Sequence, residues 1–159
     1  MEKLNQSTKQ FKTLRSIHTS ICISVSLFLM VTLVLNWRNP NTVIHAGVKD
    51  DDEPILYVAI AFAIVAPFMG KYVYKKYLRG LDFSSPTIQK FSQYMSAWLI
   101  RYTILTFVGL FNVAVWFLTS NLIALVFGAL IIAYMSMLRP VKNKAIATLK
   151  ISKQESWVK

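Results

Sequence analysis

Hydrophobic positions along this chain fall into four long blocks, separated by polar and charged connections. The blocks cover residues 17–37, 54–74, 98–118 and 121–138. Each block holds about 18–21 residues, and a helix needs roughly 20 apolar residues to cross the hydrocarbon core of a bilayer. Lys71 and Arg101 are the full charges inside the blocks, and both lie near an end of one. The pattern predicts an all-α membrane protein with four transmembrane helices, arranged as two antiparallel hairpins.

Local signals in the connections predict where these helices begin and turn. An acidic run at residues 50–53 precedes Pro54, and carboxylates followed by proline favour a helix start. A second start is predicted at Pro86, from which the third helix should run without interruption to the end of its block. The third and fourth blocks are joined by a very short turn, so their helices must be antiparallel neighbours. Ser120 or Asn121 is expected to cap the fourth helix.

The composition agrees with a membrane-embedded chain of one domain. Of the 159 residues, 55% are hydrophobic, against about 45–50% in soluble domains. Four spans and their connections use nearly all of the sequence, so we expect a single integral membrane domain over residues 1–159 with no separate soluble domain. Cys22 is the one cysteine, which excludes an intrachain disulfide framework and predicts a small packing residue.

The net charge of +11 is distributed unevenly between the two sides that four crossings define. The N-terminal arm, the second connection with its helix ends and the C-terminal tail would share one side. Their fifteen cations are Lys3, Lys9, Lys12, Arg15, Lys71, Lys75, Lys76, Arg79, Lys90, Arg139, Lys142, Lys144, Lys150, Lys153 and Lys159. The other side carries Arg38 and Lys49 against the acids of residues 50–53. The positive-inside rule therefore predicts a multi-pass inner-membrane protein with both termini cytoplasmic, including a tail at residues 139–159. The charge gives no reason to expect a nucleic-acid partner.

A cleaved signal peptide is the alternative explanation of the first block. Its apolar region is about 19 residues long, whereas the apolar region of a signal peptide has about 7–15. The block ends in the polar stretch at residues 36–40 rather than in the small residues of a cleavage site. An uncleaved signal-anchor helix is therefore expected.

Residues 141–149 form an amphipathic segment directly after the fourth block. A helix there places Val141, Ala145, Ile146 and Leu149 on one face, with lysines over much of the rest. Such a segment predicts a short cytoplasmic helix lying on the bilayer surface. The candidate contacts to anionic lipids are Arg139, Lys142, Lys144, Lys150 and Lys153. In the alternative hypothesis, these lysines only set the orientation of the protein and the tail is disordered.

Three side chains inside the blocks are candidate intramembrane polar contacts. Arg101 lies one turn beyond Trp98, near the cytoplasmic interface; its guanidinium is expected to reach the headgroups, with a ligand or a partner helix as the alternative. His18 lies at a similar depth and is expected to be solvated. Asn112 is the most deeply placed amide, and it should bond to a neighbouring helix or, alternatively, line a pore.

Proline and small residues predict how the helices pack. Pro67 removes the backbone hydrogen bond to Ala63 and is followed by Gly70, so a kink is expected in the second helix, either as a static bend or as a hinge. Small residues recur at helical spacing on three blocks, which lets helix backbones approach closely in lipid. These stripes are Ser16, Ser20 and Ser24; Ala59, Ala63, Ala66 and Gly70; and Ala124 and Gly128.

No arrangement of residues in the sequence indicates catalysis, a cofactor or a metal. Enzymes need converging titratable groups, and the blocks hold very few. The sequence contains no Walker loop, zinc-protease motif, nucleophile elbow or dinucleotide fingerprint. His45 near the acids of residues 50–53 is the group closest to a metal site, but consecutive acids at a helix start point in different directions. We therefore expect a non-enzymatic protein without catalytic, cofactor-binding or metal residues.

Four features of the second half occur together. They are Arg101, the Gly109-Leu110-Phe111 step, the Thr119-Ser120-Asn121 hairpin, and the exit Leu138-Arg139-Pro140-Val141-Lys142 into a basic tail. With them, residues 95–150 resemble a loose group of small four-span bacterial inner-membrane proteins. The resemblance implies an architecture and a compartment, and it carries no activity.

Two kinds of function are compatible with these features. The first is a non-enzymatic accessory or structural subunit, which contacts anionic lipids and docks on another membrane protein or forms a homo-oligomer. The alternative is a small transporter or channel subunit whose path forms on oligomerisation, along Arg101, Asn112 and the Pro67 kink. The scarcity of intramembrane charge and the small-residue stripes favour the first.

Overall fold

The computed structural model describes residues 2–39, 43–46, 53–81 and 84–149, with side chains from residue 9 onward except at 53 and 142–144. This part of the chain contains five helices and no strand. The helices are α1 (Glu2–Arg38), α2 (Glu53–Arg79), α3 (Thr87–Thr119), α4 (Leu122–Met137) and α5 (Lys142–Leu149). The all-α prediction is confirmed for these residues.

Three of the helices are long and apolar enough to cross a membrane. Their apolar stretches are Lys9–Arg38, Pro54–Arg79 and Thr87–Thr119. α4 is also apolar but has 16 residues. It is therefore about 24 Å long at 1.5 Å per residue, shorter than a hydrocarbon core of roughly 30 Å. This is the pattern of a helical membrane protein.

The helix boundaries follow the signals in the sequence, except near the N-terminus. α2 begins at Glu53 with Pro54 in its first turn, and α3 begins at Thr87 and runs without interruption for 33 residues, as predicted. α1 begins at Glu2, well before the first hydrophobic block. Because the sequence has no proline or glycine before Pro40, nothing breaks the helix between the basic arm and the first block.

A tight turn joins α3 to α4. Ser120 adopts the left-handed conformation, with φ of 53°, and its backbone N–H donates to the carbonyl oxygen of Trp116 at 2.8 Å. Asn121 then caps α4, because its Oδ1 accepts a hydrogen bond from the backbone N–H of Ile123 at 2.9 Å. Of the two residues expected to cap this helix, Asn121 is the one that does so.

The connection between α1 and α2 is bonded to this turn through His45. The backbone N–H of His45 donates to the carbonyl oxygen of Ser120 at 3.4 Å, and the carbonyl of His45 accepts from the N–H of Leu122 at 2.8 Å. Leu122 is the first residue of α4, where backbone N–H groups lack partners within the helix. The bond therefore adds to the cap of Asn121 and brings residues 43–46 to the same end of the bundle as the α3–α4 turn.

α3 is the central helix of the bundle, since it contacts α1, α2, α4 and α5. α1 and α2 both contact α4 as well, but among the described residues they form no extensive interface with each other. The fold thus contains a packed α3–α4 hairpin, whereas α1 and α2 do not pack as the other expected hairpin. Connection length explains the difference, because residues 39–52 allow α1 and α2 to lie apart.

Two of the three small-residue stripes lie at helix interfaces. The stripe on α2 is buried and comprises Ala59, Ala63, Ala66 and Gly70. The stripe on α4 is also buried and comprises Ala124 and Gly128. The stripe on α1 is exposed and comprises Ser16, Ser20 and Ser24. α1 therefore presents a small-residue face that no other described part of this chain covers.

α5 forms where a short C-terminal helix was predicted, but its apolar face has a different partner. Ala145 and Leu149 are buried in the same cluster as Phe91 and Tyr94 of α3. Only part of that face, including the exposed Val141, is free to meet a bilayer. The reason is that α3 is much longer than α4, so its N-terminal half extends past the end of α4 and offers α5 an apolar surface.

Candidate functional site

A buried cation is the most unusual feature of the interior. Arg101 lies on α3 and is only 8% exposed. Helical spacing places it beside Trp98, and packing places it against Tyr74 of α2 and Tyr134 of α4. We call Arg101 and these three aromatic residues the arginine cage.

The walls of the arginine cage contact the guanidinium in two ways. Nη2 of Arg101 donates a hydrogen bond to the hydroxyl of Tyr134 at 2.9 Å. The guanidinium carbon lies 5.6 Å from the ring centroid of Tyr74 and 5.8 Å from that of Trp98, within the roughly 6 Å range of cation–π attraction. Two aromatic rings and one hydroxyl oxygen therefore stabilise the charge.

None of the side chains that the structure describes carries a carboxylate that could pair with Arg101. Between residues 54 and 154 the sequence contains a single acid, Asp82, in the connection between α2 and α3. Nε of Arg101 is buried and has no hydrogen-bond acceptor among the described residues. Buried charges in proteins are usually paired. The guanidinium of Arg101, in contrast, lies among neutral neighbours. A guanidinium offers several hydrogen-bond donors and no acceptor, so this group can attract an oxygen acceptor.

His18 lies next to the arginine cage, on α1. It is 5% exposed, its ring centroid is 4.9 Å from that of Tyr102, and its Nδ1 is 3.7 Å from the Sγ of Cys22. The expectation of a solvated histidine is therefore wrong for this residue, because α1 continues upstream of it and α3 covers its ring. The hydroxyl of Tyr102 donates to the carbonyl of Leu138, the residue that directly follows α4. Arg101 and Tyr102 thus both bind the last turn of α4.

An aromatic row on α3 organises this region and is not among the sequence-based predictions. Phe91, Tyr94, Trp98 and Tyr102 follow one another along the helix, and their successive ring centroids lie 6.1, 6.2 and 5.3 Å apart. Tyr74 adds a fifth ring, 5.5 Å from Trp98. The sequence signal for the row is its spacing of three or four residues, which places side chains on one helical face.

Asn112 occupies a separate position where α2, α3 and α4 meet. It is fully buried, and its Nδ2 donates to the carbonyl oxygens of Ala59 on α2 at 3.3 Å and of Val108 at 3.0 Å. Gly128 of α4 provides the room, since a Cβ there would lie 3.5 Å from the Cβ of Asn112. Asn112 is about 16 Å from Arg101 along the helix axis. The two polar residues therefore do not form one site.

The two residues expected to kink the second helix lie on a continuous α2. Pro67 is inside the helix and partly buried. Gly70 is buried and faces Arg101. The structure thus gives Gly70 a packing role at the arginine cage, and the kink at Pro67 stays a prediction.

The basic residues of the tail lie on or beyond α5. Arg139 is exposed in the connection between α4 and α5. Lys142 and Lys144 lie in the first turn of α5. Lys150 and Lys153 fall outside the described residues. Contact of this tail with anionic lipids stays a prediction.

His45 has a structural position in the connection between α1 and α2. Its Nδ1 lies 3.2 Å from the carbonyl oxygen of Val43, and its backbone binds the α3–α4 turn. The neighbouring acids at residues 50–52 fall outside the described residues. Within the described ranges, no group of three or more histidine, cysteine or acidic side chains could hold a metal ion.

Among the grooves on the outside of the bundle beside α3, two contain serine side chains. The serine groove lies between α1 and α3 and has a volume of about 600 Å³. Its lining includes Ser20, Ser24, Val25, Phe28, Thr106 and Ala114. The basic groove lies between the end of α2 and the start of α3 and has a volume of about 700 Å³. Its lining includes Tyr72, Lys76, Tyr77, Ser92, Gln93 and Ser96.

Comparison with protein-family models, with curated proteins and with solved structures finds no match for this chain. The resemblance to small four-span bacterial inner-membrane proteins stays a prediction.

Proposed function

We propose that this chain is a four-span inner-membrane protein with both termini in the cytoplasm, which acts as a non-enzymatic accessory or structural subunit. In this proposal α4 is the fourth span, and its shortness is accommodated by local thinning of the bilayer. The bonds of His45 to Ser120 and Leu122 support the topology, because four crossings put the first connection and the α3–α4 turn on the same side. The distribution of cations supports the orientation.

The serine groove is the observation that carries the proposed docking role. Ser20 and Ser24 are exposed on α1, one helical turn apart, and Ala114 lies across from them on α3. Small residues let another helix approach closely in lipid, where the hydrophobic effect does not drive association. We propose that the groove receives a transmembrane helix of another membrane protein or of a second copy of this chain.

An oligomeric transporter or channel subunit is the second candidate, and the interior contacts favour it less. Asn112 bonds to the backbone of Ala59, and Arg101 bonds to Tyr134, so both side chains are engaged between helices of one chain. A transport path along them would require these contacts to break on oligomerisation. Their engagement supports a packing role for both residues.

Purification of the full chain in a mild detergent, followed by a mass measurement, tests the docking role. We expect a complex with a second protein or a second copy. Ser24→Phe should fill the serine groove and release the partner, whereas Ile23→Phe, at an exposed neighbouring position outside the groove, should retain it. A lone monomer of the unaltered chain contradicts the proposal, as does a complex that Ser24→Phe leaves intact.

Topology reporters test the orientation separately. A reporter fused after Lys159 should be active if it is of the kind that works in the cytoplasm, and inactive if it works only in the periplasm. A cysteine at Ser85, in a Cys22→Ala background, should react with a membrane-impermeant thiol reagent only after the cells are opened. Periplasmic labelling at this position would exclude the proposed topology.

A further inference from the structure

We propose that the basic groove binds one anionic phospholipid, with its headgroup phosphate at Lys76 and a fatty-acyl chain lying between α2 and α3. This inference rests on the four-span topology proposed above, which puts this end of the bundle at the cytoplasmic leaflet. It adds a ligand site distinct from the basic tail and from the serine groove.

The depth of the basic groove matches the headgroup layer. α2 and α3 both extend beyond the boundaries of their hydrophobic blocks at Tyr74 and Trp98. At 1.5 Å per residue, Lys76 and Ser96 lie about 3 Å outside the hydrocarbon core, and Ser92 lies about 9 Å outside it. The headgroup layer of one leaflet is about 5–8 Å thick. Both walls of the groove therefore cross this layer.

The chemistry of the lining fits a phosphate diester. Lys76 supplies a cation, and Tyr72, Tyr77, Ser92 and Gln93 supply hydroxyl and amide donors, all on exposed side chains. A phosphate diester offers a negative charge and several acceptor oxygens, and hydrogen bonds from charged donors to such oxygens are strong. A lipid phosphate therefore complements this lining in both charge and hydrogen bonding.

A second groove between the same two helices fits the acyl chain. It has a volume of about 320 Å³ and an apolar lining that includes Phe62, Met69, Ile104 and Phe107. Along α2, Met69 lies about 10 Å further into the membrane than Lys76, within a half-thickness of about 15 Å. A phospholipid with its phosphate in the basic groove can therefore lay one chain in this apolar groove. A free phosphate ion would use only the outer part.

Native mass spectrometry of the full chain in mild detergent, titrated with phosphatidylglycerol or phosphatidylcholine, tests the site. We expect one phosphatidylglycerol to bind about tenfold more tightly than phosphatidylcholine. Both lipids carry the phosphate, but the choline cation of phosphatidylcholine is repelled by Lys76 and leaves that lipid without a net charge. Lys76→Gln should weaken phosphatidylglycerol binding about tenfold. Lys75→Gln removes the same charge from the adjacent exposed position outside the groove, and it should change binding less than about twofold.

A second variant tests the chain-binding part without altering the charge. Thr103 lines the apolar groove and is exposed, so Thr103→Trp should obstruct the groove and weaken phosphatidylglycerol binding. Phe117→Trp, at an exposed position on α3 outside the groove, is the control and should leave binding unchanged. The assignment is overturned if Lys76→Gln binds phosphatidylglycerol like the unaltered chain, if both lysine variants weaken it equally, or if millimolar inorganic phosphate displaces the lipid.

Failure of the topology and failure of the lipid site give different results. Lys76→Cys, in the Cys22→Ala background, reports the side of the membrane through the reaction of its thiol with an impermeant reagent. Labelling from the periplasm would reject the topology. Cytoplasmic labelling together with equal affinity for the two lipids would reject the lipid site alone.

Discussion

Gly70 lies directly against Arg101: a Cβ built on Gly70 would stand 3.3 Å from the Cγ of Arg101 and 3.8 Å from its carbonyl oxygen. The shorter of these distances is tighter than ordinary van der Waals contact. The lack of a side chain at Gly70 therefore allows α2 to approach α3 at this point. One turn further along α2, the ring of Tyr74 lies near the guanidinium. The glycine and the cation–π contact thus belong to one interface.

Enlarging residue 70 should separate α2 from the arginine cage. We expect Gly70→Leu to lower the free energy of unfolding by about 1–3 kcal/mol, the usual cost of overpacking a filled interface. Titration with SDS in mixed micelles measures this change. Gly80→Ala is the control, because a Cβ at Gly80 meets its nearest atom at an ordinary 3.7 Å. Equal stability of Gly70→Leu and the unaltered chain would show that the close contact does not limit packing.

Removing the charge of Arg101 should cost little stability, because it leaves no carboxylate unpaired among the side chains that the structure describes. Arg101→Met keeps most of the volume, and we expect it to change the free energy of unfolding by less than about 1 kcal/mol. Arg101→Ala leaves a cavity and should cost about 2–3 kcal/mol. A loss above about 3 kcal/mol in Arg101→Met, measured by the same SDS titration, would reveal an anionic partner that the described residues do not contain.

The helix positions that could be predicted from the sequence are those that local chemistry determines. A lipid-crossing helix needs a continuous apolar run, so α2 and α3 could be located from hydropathy. The starts of α2 beside Pro54 and of α3 directly after Pro86, and the cap at Asn121, could be predicted for a related reason. The first backbone N–H groups of a helix need an acceptor, and proline has no such group.

The partners of each helix were not predictable in the same way. The stripes around Ser20 on α1 and Ala63 on α2 look alike in sequence, yet only the α2 stripe is buried in the bundle. Which stripe is covered depends on the side chains of the facing helix. The arginine cage could not be predicted either. Arg101 bonds to Tyr134, which is 33 residues away in the sequence, and helical periodicity carries no information about such a pair.

Truncating Asn112 should loosen the junction of α2, α3 and α4. We expect Asn112→Ala to lower the free energy of unfolding by about 1–2 kcal/mol, because hydrogen bonds between membrane helices contribute about 0.6 kcal/mol on average and the lost volume adds to this. SDS titration gives the value. Thr103→Ala, which removes an exposed hydroxyl bonded only within α3, should stay within about 0.5 kcal/mol. A larger effect at Thr103 than at Asn112 would contradict the proposed junction.

The cap of α4 offers a local test. Asn121→Ala removes the acceptor for the N–H of Ile123 and should cost about 1 kcal/mol, whereas Asn121→Asp keeps a capping oxygen and should cost less. Hydrogen exchange at the first turn of α4 reports the difference residue by residue. If exchange there is equally slow in both variants, the bond from Leu122 to His45 holds the helix start by itself.

α5 has two candidate partners, the bilayer and α3, and hydrogen exchange distinguishes them. A helix bound only by the bilayer should be protected from hydrogen exchange in nanodiscs of anionic lipid and exposed in zwitterionic lipid, because the attraction is about 1 kcal/mol for each basic residue. Ala145 and Leu149, however, are buried with Phe91 in the core of the protein. We therefore expect the amides of residues 145–149 to exchange slowly in both lipids, and Leu149→Asp to accelerate their exchange in both. Protection that appears only in anionic lipid would show that the bilayer, and not α3, holds this helix.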